Sequence, residues 1–381
     1  MKWATTILIF CVAVLNGLGL VMLYSSSMNM DSGTHQAGTH YLLSQLSWCG
    51  LGLMGCVAAA SVDYRKFKAA APWLLGISVV LLVLVFAPKI GITRNGARRW
   101  IGAPGLPHFQ PSELAKLALI VFLALYGDRF QRQMAGFTRG LLLPGSIIAA
   151  VLALIFVEPD RGCTILLAAV CGAMLIIAGA KLRFIVPPAL LLICGLAISF
   201  LHDPMRLRRI LAWLHPEQSK DGAGYQAWEA MIALGSGGWM GLGLGNGRQK
   251  LGFVPEHHTD FIFSIIGEEL GLVATITVVL LFVLLVVCGF YIAGRASDTF
   301  GLLLGAGLTS MIGLQAFINI GVVTSVLPNK GMPLPFISYG GSNLVLMLVS
   351  IGLLLSISRF AIAPVKQKNN PFEAVPEAAH G

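Results

Sequence analysis

Charge is what this chain has least of. Asp, Glu, Lys and Arg together make up 11% of its 381 residues, against about 25% in a typical soluble domain. So few charges cannot cover a water-facing surface, which excludes a soluble multidomain protein. The seven cysteines (Cys11, Cys49, Cys56, Cys163, Cys171, Cys194 and Cys288) lie mostly in apolar runs and form no Cys-x-x-Cys pair. That removes a disulfide framework and a cysteine metal knuckle. No basic run interleaved with aromatics occurs, so the net charge of +9 does not point to nucleic acid. The first apolar run, Ile7–Leu23, lacks an Ala-x-Ala cleavage site, so an uncleaved helix is expected there rather than a signal peptide.

Apolar residues are what is abundant, at 56% of the chain with a mean hydropathy of +0.80. At about 20 residues per span this suffices for about ten membrane helices, an all-α polytopic fold. The candidate spans are Ile7–Leu23, Tyr41–Ala60, Trp73–Ala87, Leu114–Tyr126, Leu141–Val157, Cys163–Ala180, Phe184–Leu201, Phe261–Ala293, Phe300–Leu327 and Phe336–Ser358. They make one membrane domain over residues 1–365, followed by a loose polar tail over 366–381. Loops carrying Arg65, Lys66, Lys68, Arg129, Arg132, Arg139, Lys181 and Arg183 fall on one face, with Lys2, Arg295, Arg359, Lys366 and Lys368. By the positive-inside rule that face, with both termini, is cytoplasmic.

The opposite face is also basic. Residues 88–112 hold Lys89, Arg94, Arg98 and Arg99; a long loop over about 202–260 holds Arg206, Arg208, Arg209, Lys220, Arg248 and Lys250. Long loops cross regardless of charge, and this cluster points to an anionic ligand. Within the long loop, Tyr225, Trp228, Ile232 and Trp239 fit a short amphipathic helix in the interface.

Ionisable groups beside apolar helices are costly and mark candidate sites. Glu113 and Lys116, three apart, share a helical face and can pair, either to pin the helix or to line a polar groove where Lys116 meets phosphate. Arg98 and Arg99 offer bidentate donors to phosphate oxygens. Trp100 is a sugar-stacking platform or an interface anchor. Glu158–Gly162 reads as a turn in which Asp160 caps the sixth helix. Glu268 and Glu269 are expected to pair with a basic neighbour. The Gly-rich stretch Gly241–Gly247 is no dinucleotide loop, because no strand precedes it; an exposed backbone able to approach pyrophosphate is expected instead.

The stretch Lys250–Phe261 concentrates the most chemistry. Asp260, at a membrane boundary beside apolar side chains, suits a general base. Adjacent His257 and His258 point in different directions and lack a third-ligand spacing, so zinc is not expected.

These motifs resemble the SEDS family (shape, elongation, division, sporulation) of polytopic peptidoglycan polymerases. The resemblance runs from about Gly19 to Ser358, through Asn95–Ile101, Gln110–Lys116, Glu158–Thr164, Gly224–Gly271 and Leu327–Ser342. It implies an inverting glycosyltransferase that polymerises lipid II on the outer face of the cytoplasmic membrane. It implies Asp260 as the essential aspartate, and it maps the family's Glu, Lys and Arg-Trp positions onto Glu113, Lys116, Arg99 and Trp100. Arg98, Lys250, Glu256 and His258 complete the expected substrate contacts. Asn95–Ile101, Gln249-Lys250 and Leu327–Gly331 look like the division-type FtsW branch, although Asn329 and Trp228-Glu229 depart from its usual residues. The implied partners are undecaprenyl-pyrophosphate-linked glycan, a class B penicillin-binding transpeptidase and other division proteins. A divalent cation, Mg or Mn, bridging phosphates is the one cofactor considered. Rival expectations are an elongation-type (RodA-like) polymerase, a flippase for the lipid-linked precursor, and a non-catalytic scaffold.

Overall fold

The computed structural model describes residues 1–27, 36–87, 90–94, 97–102, 108–202, 204–215, 217, 222, 224–249 and 259–360. Ten long helices follow the ten expected apolar runs: α1 (Lys2–Ser27), α2 (Gln36–Ser61), α3 (Phe67–Leu84), α4 (Pro111–Arg129), α5 (Leu143–Val157), α6 (Arg161–Ile177), α7 (Leu182–Leu201), α10 (Ile262–Gly294), α11 (Thr299–Val323) and α12 (Gly341–Phe360). Two shorter helices, α8 (Pro204–Leu214) and α9 (Tyr225–Ser236), lie within the long loop. Helix α9 carries Tyr225, Trp228 and Ile232 of the short helix expected there, while Trp239 lies beyond its end. Helix α8 adds a second amphipathic segment to that loop: Leu207, Ile210, Leu211 and Leu214 recur at helical spacing, with Arg208 and Arg209 between them.

Among the described residues, eight helical segments are long and apolar enough to cross a membrane. Of the ten helices, α4 and α6 fall short of that standard: α4 carries Glu113, Lys116, Asp128 and Arg129, and α6 has 17 residues. Both pack against α11 inside the same bundle, so the fold is an all-α multi-pass membrane architecture in which the charged helix α4 is sheltered by apolar neighbours. Further contacts join α2 to α12, α1 to α10, α10 to α11 and α3 to α4.

Local chemistry sets the helix ends. Pro111 sits in the first turn of α4, where a missing N–H costs nothing. Asp160 and Asp298 cap α6 and α11, accepting the N–H of Cys163 and of Gly301, each at 3.1 Å. At the bundle end opposite Glu113, Lys68 bridges Asp128 and Asp298, 2.9 Å from each. Tyr64 Oη donates to Asp298 at 2.7 Å, and the Tyr64 N–H donates to Ser356 Oγ at 3.0 Å. This network ties α3, α4, α11 and α12 together.

Two features depart from a plain helical bundle. Between α3 and α4, strands β1 (Gly91–Arg94) and β2 (Ala97–Ile101) form an antiparallel hairpin with a register shift between Ile92 and Thr93. Helix α10 breaks at Gly271, whose φ of +79° lies in the left-handed region. The carbonyls of Glu268 and Glu269 accept instead from the N–H groups of Leu242 and Gly243, both at 2.9 Å. Beyond the break, Leu272 and Val273 donate to the carbonyls of Gly238 and Trp239 at 2.9 and 3.3 Å. The loop after α9 thus takes up backbone groups that the break would orphan, a condition for irregular backbone in a membrane protein.

Candidate functional site

The site is organised by the segment joining α11 to α12, residues 324–340. Asn319, near the end of α11, donates through Nδ2 to the carbonyls of Asp260 at 2.8 Å and Met332 at 2.6 Å. Ser338 Oγ donates to the Thr259 carbonyl at 2.5 Å and accepts the Leu334 N–H at 2.8 Å. The backbone carrying Asp260 is therefore pinned by α11 through Asn319 and by the following loop through Ser338. Its carboxylate lies directly over the Cα of Gly331, where any Cβ would overlap a carboxylate oxygen.

Glu113 and Lys116 are buried and paired at 2.9 Å. Asn343 Nδ2 of α12 donates to Glu113 at 3.0 Å, and Lys116 Nζ donates to Gln315 Oε1 of α11 at 3.0 Å. Gln315 in turn donates to the Pro333 carbonyl at 3.0 Å. Of the two roles open to this pair, the geometry supports pinning: it supports the floor of the Asp260 loop.

The two adjacent arginines separate. Alternation along a strand sends neighbours to opposite faces. Arg99 crosses to the end of α5, donating to the carbonyls of Glu158 at 3.2 Å and Pro159 at 2.6 Å. Arg98 stays with its own hairpin, donating to Thr93 Oγ1 and to the Phe86 carbonyl, both at 3.3 Å. The two guanidiniums therefore have different partners and lie on opposite sides of the strand. Trp100 is half-buried and faces Ile92 across the strand pair.

At the α5–α6 turn, Glu158 is fully buried and neither carboxylate oxygen has a hydrogen-bond partner among the described residues. Burial pushes its carboxyl up to about 8, with the Asp160 charge adding and Arg99 opposing. Asp160 accepts from Gln110 Nε2 at 3.3 Å besides capping α6. Lys330 lies over the start of α6, with Asp160, Cys163, Arg161 and Arg99 as its electrostatic neighbours. Burial brings its ammonium down to about 8, against the pull of the Asp160 carboxylate. In the sequence Lys330 stands out only as part of Leu327–Gly331 and Glu158 only as part of a turn. The signal available was an ionisable residue immediately beside Gly331.

Glu268 and Glu269 accept backbone N–H groups from the Gly-rich loop and the residues that follow it. That loop accordingly has its amides at 242, 243, 245, 248 and 249 engaged, and does not hold them open for pyrophosphate. Lys250, Glu256 and His258 lie outside the described residues. Among those described, no three His, Cys, Asp or Glu side chains gather to hold a metal ion. A largely apolar cavity of about 340 Å³ opens between α9, α10 and α11, lined by Leu234, Phe263, Leu272, Thr275, Ile320 and Thr324.

Comparison with known proteins places this arrangement. The family model FTSW_RODA_SPOVE, described as cell cycle protein, matches residues 5–362. A probable peptidoglycan glycosyltransferase FtsW of Trichlorobacter lovleyi is 40% identical over 95% of this chain and 95% of its own. Stage V sporulation protein E of Bacillus subtilis is 38% identical over 93% and 97% of the two chains. Among solved structures, a chain from a peptidoglycan synthase complex that coordinates polymerization and crosslinking superposes with a TM-score of 0.74. It is 29% identical and covers 92% of this chain and 96% of that one. The Rod shape determining protein RodA of Thermus thermophilus gives 0.66, with 28% identity and 92% and 95% coverage. The chain belongs to the FtsW, RodA and SpoVE family of cell cycle proteins, the SEDS family that its motifs resemble.

Proposed function

We propose that this chain is a peptidoglycan glycosyltransferase. It polymerises lipid II into glycan strands at the outer face of the bacterial cytoplasmic membrane, for septal wall synthesis in cell division. The observation that carries the reading is the seat of Asp260: a carboxylate fixed over Gly331, the residue that follows Lys330 in the chain, with an apolar cavity that begins at Phe263. A lipid-linked sugar pyrophosphate needs a base, a cation for the departing charge and an apolar slot for its chain.

The Asp260 carboxylate takes the proton of the acceptor sugar hydroxyl as that oxygen attacks the anomeric carbon of the donor strand. The new carbon–oxygen bond forms while the bond to the lipid pyrophosphate breaks, its electron pair leaving on phosphate oxygen. Attack from the face opposite the leaving group inverts the anomeric centre, and the proton on Asp260 passes to water. Lys330 and Arg99 neutralise the pyrophosphate, and Trp100, Lys250, Glu256 and His258 contact substrate. Arg98 stands beside them on the hairpin. Glu113 and Lys116 hold the loop from beneath. A divalent cation, Mg or Mn, would help neutralise the charge of the pyrophosphate.

Basic loops at the opposite end, with Arg65, Lys66, Lys68, Arg129, Arg132 and Arg139, support cytoplasmic termini and an outward-facing site. Likeness to a chain of a peptidoglycan synthase complex supports a class B penicillin-binding transpeptidase as partner, together with other division proteins. Relatives named FtsW at 40–41% identity support the division role over an elongation role. A flippase would use buried charges that move, whereas Glu113 and Lys116 each have fixed partners on neighbouring helices.

The test uses purified protein in detergent with lipid II, with and without the transpeptidase, scored for glycan strands. Asp260→Asn is expected to bind lipid II and to polymerise about 10²–10⁴-fold more slowly. Near-normal strands from that variant would overturn the assignment. Lipid II translocation in vesicles without polymer would favour the flippase.

A further inference from the structure

Glu268 and Glu269 are adjacent acidic residues at the break in α10, 1% and 0% exposed. Buried carboxylates are costly unless they are hydrogen-bonded. Glu268 Oε1 accepts the N–H of Arg248 at 2.7 Å and of Gln249 at 3.2 Å, and its Oε2 also meets the Gln249 N–H at 3.3 Å. Successive N–H groups of this kind form a concave anion seat, here filled by a side chain of the same protein. Glu269 Oε2 accepts the Gly245 N–H at 3.1 Å and Ser25 Oγ of α1 at 2.6 Å. Gly247 lies so close over both that a Cβ there would stand 2.9 Å from a Glu268 oxygen and 3.0 Å from a Glu269 oxygen. The backbone exchange at Gly271 seals the same loop onto the same turn of α10.

We infer that Glu268, with Glu269 beside it, is a positioning residue for the transfer reaction. It fixes the chain at Arg248–Gln249, where the stretch leading to Asp260 begins, as Ser338 and Asn319 fix it at Thr259–Asp260. The short helical segment 262–270 connects the two anchorages: Asp260 stands just before its start, and Glu268 lies in its last turn. Displacing either anchorage shifts the carboxylate against the acceptor hydroxyl, and a misplacement of about 1 Å costs on the order of 10²-fold in rate. The inference rests on Asp260 being the base.

The test is made on the full-length chain with lipid II, measuring kcat and KM per folded molecule alongside hydrogen exchange at the Arg248 and Gln249 amides. Glu268→Ala is expected to lower kcat on the order of 10²-fold, leave KM for lipid II nearly unchanged and speed exchange at both amides. Glu268→Gln, which keeps one acceptor oxygen, is expected to fall between Glu268→Ala and the parent chain in both readouts. Should Glu268→Ala fail to fold, Gly247→Ala crowds the same seat while leaving both carboxylates in place, and the same kcat loss and faster exchange are expected. An unchanged kcat with loosened amides, or unaltered exchange, would overturn the positioning role. A loss confined to the yield of folded protein would overturn it too. An active Asp260→Asn variant would instead sink the reading beneath it.

Discussion

The ammonium of Lys116 and the carboxylate of Glu113 meet at 2.9 Å with both side chains only 2–3% exposed. Each also holds a neutral amide from a neighbouring helix, Gln315 for Lys116 and Asn343 for Glu113. Such a pair gains little over an apolar isostere, but breaking one half strands a buried charge.

Lys116→Met is therefore expected to destabilise the protein by about 3–5 kcal/mol, seen as a lower thermal midpoint in detergent. Adding Glu113→Gln should recover a large part of that loss, because the stranded carboxylate is gone. If the double variant is no more stable than the single one, the pair is not the source of the cost.

Glu158 predicts a pH dependence with a definite sign. Its carboxyl stands at about 8 in the folded chain and near 4.5 when free, so the fold retains a proton that the unfolded chain releases. Stability is consequently lost as pH rises from about 4.5 to 8 and levels off above. Glu158→Gln does not ionise. Its advantage over the parent chain should grow across that window to on the order of a few kcal/mol. Thermal midpoints at pH 5, 6.5 and 8 measure the gap, and parallel curves would remove Glu158 as its cause.

Lys330 titrates from the other side. With its ammonium brought down to about 8, the cation proposed to meet pyrophosphate is lost as pH rises through that value. The alkaline limb of kcat/KM, which reports the free enzyme, is expected near pH 8. Lys330→Arg keeps its charge and should carry the limb upward, whereas Lys330→Met should lower the rate at every pH. Measuring both in a Glu158→Gln background removes the other group that titrates there; a limb that stays at 8 in Lys330→Arg would exonerate Lys330.

Much of the fold is legible without coordinates, because lipid demands long apolar runs and internally bonded backbone. All ten runs became helices, and Asp160 caps α6 as its place before Arg161–Gly162 implied. Boundaries moved where polar chemistry interrupts: α12 begins at Gly341 rather than Phe336, since residues 336–340 belong to the loop beneath Asp260. The hairpin before α4 was hidden because two short strands carry too little alternation to stand out beside membrane helices.

At the site, residue type could nominate Asp260, Glu113, Lys116 and Arg99, since an ionisable group beside lipid is conspicuous wherever it falls. Direction could not be nominated. That Arg98 and Arg99 part company was decided by a strand's two-residue alternation. That Glu268 clasps the amides of Arg248 and Gln249 was decided by a loop folding back onto a broken helix. Composition determined the solvent in which this chain lives, because transfer free energy sums over residues one by one. Only the tertiary structure decided which scarce charges face one another, because that depends on the contacts between α4, α6, α10, α11 and the loop that joins α11 to α12.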